Sequence, residues 1–103
     1  MVADPTTLNP IDRSLRYSHA MMDELLEVTA EWDEIPDGEL AGWTMDWHQF
    51  AFDKMKRISE KYSSSDMTPE QEGEYRRLLQ RIEQHRDLIQ QFNLTMPRIP
   101  VET

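Results

Sequence analysis

The sequence predicts an all-α fold: an up-down-up bundle of three helices with short loops and extended tails at 1–8 and 95–103. Three observations predict it. Helix starts stand at Asn9-Pro10 and at Thr68-Pro69-Glu70-Gln71, and apolar residues recur three and four apart after each. Nothing reads as a strand except residues 98–101, where two nearby prolines argue against one. At 103 residues the chain fits a single domain, with one core and no deep cleft.

The first helix is expected over about 10–34. Asn9 supplies a side-chain acceptor at the cap, and Pro10 occupies the first position, where its missing N–H costs nothing. Ile11, Leu15, Ser18, Met22, Leu25, Leu26, Thr29 and Trp32 then follow at helical spacing. Pro36 disfavours helical geometry in Ile35 and so ends the run.

The second helix is expected over about 38–62, capped by Asp37 and broken by Ser63-Ser64-Ser65-Asp66. It carries two apolar stripes. Trp43, Trp47 and Phe50 share one with Leu40, Ala51 and Ile58; Met45, His48, Phe52, Met55 and Ser59 form the other, roughly 120–160° away at 100° per residue. The third helix, about 69–92, opens with a capping box in which Thr68 and Gln71 each satisfy the other's backbone. Tyr75, Leu78, Ile82, His85, Ile89 and Phe92 continue it without interruption, and Asn93 suits a left-handed terminator with Leu94 folding back.

Composition excludes several classes of function. There is no cysteine, which rules out disulfides, zinc–thiolate sites and thiol catalysis. The net charge of −9 is concentrated early: residues 1–37 hold nine acids against two bases, while the remainder is nearly balanced. Such a field repels phosphate backbones and attracts basic surfaces, so direct nucleic-acid binding is not expected. No apolar run reaches the ~18–20 residues of a membrane span, and MVADPTTLNP lacks the basic-then-apolar pattern of a signal peptide. A cytoplasmic location is the expectation, with no membrane partner.

No catalytic residue, cofactor or metal ligand is assigned. The sequence has no G-x-S-x-G, phosphate loop or dinucleotide fingerprint. His19, Asp23 and Glu27 share a helical line beside Arg16, where a solvated charged face is expected. The heights of His19, His48 and His85 along antiparallel helices do not suit one shared ion.

What remains is surface. The first two helices offer more apolar residues than three short helices can hide, and exposed apolar patches mark interfaces. Met21, Val28, Trp32, Met45, Phe52 and Met55 are the interface candidates, for a protein partner or a homo-oligomer such as a dimer. Asp23, Glu24, Glu27, Glu31, Asp33 and Glu34 form an acidic face suited to a basic partner. The tail LTMPRIPVET alternates apolar residues with prolines; Met96, Ile99 and Val101 would dock into a groove, or the tail packs on its own helices.

The function these features suggest is a non-enzymatic helical interaction protein, regulatory or accessory, to which an antitoxin-like subunit answers. The alternative is a small ligand- or metal-binding domain built on Trp43, Trp47, His48 and His85.

Overall fold

A computed structural model describes residues 9–98. The described chain is all-α and contains no strand. In order it runs α1 (Pro10–Ala30), a 3₁₀ turn (Trp32–Glu34), α2 (Asp37–Gln49), a π turn (Phe50–Lys54), α3 (Met55–Ser63), α4 (Pro69–Gln84) and α5 (Arg86–Gln91). The backbone stays helical through both ends of the π turn, at Gln49 and at Lys54. So α2, the π turn and α3 form one continuous rod.

Local chemistry sets the ends. Asn9 Oδ1 accepts the Ile11 N–H at 2.8 Å, as expected of a cap. At α4 the capping box forms in both directions: Thr68 Oγ1 accepts from Gln71 N–H at 3.2 Å, and Gln71 Oε1 from Thr68 N–H at 2.9 Å. Asn93 takes the left-handed conformation at φ 56°, with its N–H on Gln90 C=O and that of Leu94 on Ile89 C=O. Ser65, at φ 59°, ends α3 in the same way, with Asp66 N–H reaching Lys61 C=O.

Four expectations need correction. The first helix stops at Ala30, because the chain tightens into a 3₁₀ turn that sets the Trp32 ring 4.6 Å from Phe92. Asp37 is the first helical residue of α2 and not its cap: Pro36 holds the cap position, and Leu40 N–H bonds its carbonyl at 2.9 Å. The third helix is interrupted at His85 (φ −111°, ψ 16°). There the backbone N–H shifts to Ile82 C=O, and the His85 Nδ1–H takes the Arg81 carbonyl so released, at 2.8 Å.

The fourth correction is the second helix's uniform phase. At 100° per residue Met55 would stand about 80° from Trp47 and about 60° from Phe52. A π turn contains one residue more, which rotates everything after it by about 100° and brings Met55 within about 20° of Trp47. Met55 is therefore fully buried.

One core joins the elements. Leu15, Met21, Met22 and Leu25 of α1 meet Phe50, Met55 and Ile58 on one side and Tyr75, Leu78 and Ile82 on the other. Asp12 stands beside Gln71 and Asp23 beside Arg81, so α1 and α4 run in the same direction. Tyr17 meets Phe50 while the start of α1 lies along α3, so those two run oppositely. Each of the large apolar side chains enclosed here contributes roughly 1.5–3 kcal/mol by leaving water.

Candidate functional site

The acidic face is present as a surface. Asp23, Glu24, Glu27, Glu31, Asp33 and Glu34 are all exposed. They belong to a longer feature: residues 17–53 contain ten acids and no Lys or Arg. Among the described residues only two of the ten pair with a base, Asp23 with Arg81 and Asp53 with Arg57. The end of α1, the 3₁₀ turn and most of α2 thus carry uncompensated negative charge. Tyr17 registers that field. Its hydroxyl is pushed above its usual range by partial burial first, then by the carboxylates of Asp46 and Glu24, which oppose a phenolate.

The six interface candidates divide. Met45 and Phe52 are 65 % and 48 % exposed and lie two turns apart on one side of the rod. Between them the His48 ring stacks on Phe52 at 6.1 Å, and the Arg98 guanidinium lies 5.0 Å from the same ring. Val28 and Trp32 are half-buried, Trp32 against Phe92. Met21 and Met55 are not surface residues at all, at 2 % and 0 % exposure. For Met55 the reason is the π turn. For Met21 it is that α1 packs against α3 and α4 at once, so its buried arc takes both Met21 and Met22. The bare apolar surface of this rod is consequently smaller than the sequence suggests, and it is centred on Met45 and Phe52.

The described part of the tail lies on the chain's own helices. Leu94 and Pro97 are buried and Met96 packs against the core, so of the two expectations for the tail this part follows the one in which it packs on its own helices. Three hydrogen-bonding contacts hold the segment. Trp47 Nε1–H donates to the Thr95 carbonyl at 2.8 Å, His48 Nδ1 lies 2.8 Å from the Thr95 hydroxyl, and Arg98 N–H donates to the Ala51 carbonyl at 3.0 Å. Ala51 sits inside the π turn, where the helical ladder slips by a residue and a carbonyl is left for an outside donor. Ile99 and Val101 lie outside the described residues.

Trp43, Trp47, His48 and His85 are not gathered into one site. The two indoles stack at 5.7 Å, but Trp47 is fully buried and its N–H is already bonded to Thr95. His48 stands on the outer surface beside Phe52, while His85 is bonded within its own helical turn. Among the described residues no three His, Asp or Glu side chains are placed to hold a metal ion. On the His19–Asp23–Glu27 line a cation is present in the form of Arg81, whose guanidinium contacts Asp23 and donates to the His19 carbonyl at 3.1 Å.

Two grooves flank α1. The one toward α4, about 620 Å³, has mixed charge from Asp12, Arg16, Asp23, Glu74 and Arg77. The one toward α3, about 590 Å³, has four basic residues and no acid in its lining. Sequence reading passed over that second groove, although its signal is visible in Arg13 and in Lys54, Arg57 and Lys61 at helical spacing.

Comparison with protein-family models, curated proteins and solved structures finds no match for this chain.

Proposed function

We propose that this chain is a non-enzymatic helical interaction protein, regulatory or accessory in role, whose acidic half docks a basic protein surface. The reading is carried by one observation: ten acids and no Lys or Arg over residues 17–53, with eight of the ten unpaired among the described residues. Carboxylates so arranged steer a basic partner in and set its orientation. Met45 and Phe52, exposed on the same stretch, add apolar area that a partner can remove from water. The acids supply approach and register, and the apolar pair contributes to the affinity.

Purification of the tagged chain from its native host at about 50 mM and at about 500 mM salt tests this reading. The expected result is a basic protein retained at low salt, released at high salt, and absent with the variant Glu31→Lys/Glu34→Lys. Equal retention by that variant, or a partner indifferent to salt, contradicts it.

A further inference from the structure

The groove between the start of α1 and α3 has a charge opposite to that of the protein as a whole. Arg13, Lys54, Arg57 and Lys61 rim it, and Tyr17 and Ile58 contribute apolar surface. Lys54 Nζ stands 5.5 Å from the centre of the Tyr17 ring, which holds that ammonium at the groove's edge. Among the described residues, Arg57 alone of the four bases forms an ion pair, with Asp53. A concave surface with several cations and an apolar floor suits a short acidic segment that carries an apolar side chain.

The chain contains such a segment. Residues 31–37 read EWDEIPD; Glu31, Asp33, Glu34 and Asp37 are exposed, and Ile35 is half-exposed among them. This turn joins α1 to α2, at the opposite end of α1 from the groove. The unbroken helix between them holds the two about 25–30 Å apart at 1.5 Å per residue. A chain therefore cannot place this turn in its own groove.

We infer that the groove of one copy receives the acidic turn of a second copy. Four carboxylates face four bases, and Ile35 meets the apolar floor. The net charge of −9 does not prevent the contact, because repulsion between distant parts is screened beyond about 10 Å at 0.1 M salt, whereas the facing charges touch. Reciprocal use closes a two-fold dimer and one-way use extends a chain; the molar mass rises in either case. The groove bases lie outside the acidic stretch, so this inference goes beyond docking of a basic partner and fails independently of it.

The test is light scattering on the full chain at up to about 1 mM, where even a contact with a Kd near 100 μM is populated. At about 50 mM salt the mass exceeds the monomer's, and at about 500 mM it returns to it. Arg57→Glu/Lys61→Glu and Glu31→Lys/Glu34→Lys are each monomeric alone. Mixed in equal amounts they associate, since one retains the turn and the other the groove. The variant carrying all four changes associates again. Circular dichroism of each variant guards against unfolding, and the groove variant still retains the basic host protein. A wild type that stays monomeric at low salt, a groove variant that associates like wild type, or a mixture that remains monomeric overturns the inference.

Discussion

Met45 and Met55 stand ten residues apart on one continuous rod and meet opposite surroundings. Met45 is 65 % exposed, with only the solvent side of α2 around it, while Met55 is 0 % exposed among Phe50, Ile58 and the residues of α1. The π turn between them is the cause. It rotates the second half of the rod by about 100°, so Met55 comes round to the buried Trp47 side of the rod, opposite the exposed side that carries Met45. The same slip leaves the Ala51 carbonyl for Arg98 N–H. A defect in the helical ladder is thus what seats the tail, and the tail's Arg98 then borders the exposed Phe52.

The largest expected effect is the contrast itself. Met55→Ala opens a cavity in the core and lowers stability by about 2–5 kcal/mol. Met45→Ala changes it by less than about 0.5 kcal/mol, because the side chain is already in water. Urea denaturation of both variants reads the difference directly, and similar losses would break the comparison.

A smaller effect sharpens it from beyond the rod's end. Ser65 adopts φ 59°, a conformation that glycine tolerates far better than serine. Ser65→Gly should raise stability by roughly 0.5–1 kcal/mol without touching either methionine's environment. The melting temperature reads this gain, and a decrease would mean that Ser65 is not held in the left-handed region.

Alkaline pH separates the surface from the core more gently. Burial, the leading cause for both Tyr17 and Tyr75, pushes each hydroxyl above 10.0. The folded chain holds these protons more tightly than the unfolded one, so their contribution is intact below pH 10.0 and is lost as pH rises through the folded values. Tyr75 is fully buried, and Ser59 beside it does not complete a hydrogen bond to its hydroxyl. Melting temperatures should therefore fall above pH 10.0, less steeply in Tyr75→Phe, with a smaller relief in Tyr17→Phe. An unchanged slope in Tyr75→Phe would place that hydroxyl in contact with water.

The sequence shows features that depend on a few neighbouring residues. The caps at Asn9 and Thr68 and the left-handed stop at Asn93 could be read because each is a bond between residues two to five apart. The acidic face was legible as well, since exposed carboxylates need no partner to place them. The π turn was not, because FAFDK contains no residue that forbids an ordinary α turn; the extra residue makes sense only with Arg98 available to meet Ala51. The break at His85 and the early end at Ala30 likewise depend on contacts made in the folded chain, such as that of Trp32 with Phe92. Met55 was grouped with Met45 and Phe52 because a constant pitch puts it on their stripe, and Met21 was set apart because it is displaced from Leu15, Met22 and Leu26 on α1.

Methionine oxidation by dilute peroxide, followed by peptide mass, tests the account most directly, since thioether oxidation tracks exposure. Met45 should oxidise at nearly the rate of a free methionine, while Met55, Met21 and Met22 lag by about a hundredfold because they react only on opening. Binding of the basic partner should then slow Met45 selectively. Equal rates at Met45 and Met55 in the free protein, or a Met45 whose rate is unchanged by the partner, would contradict the account.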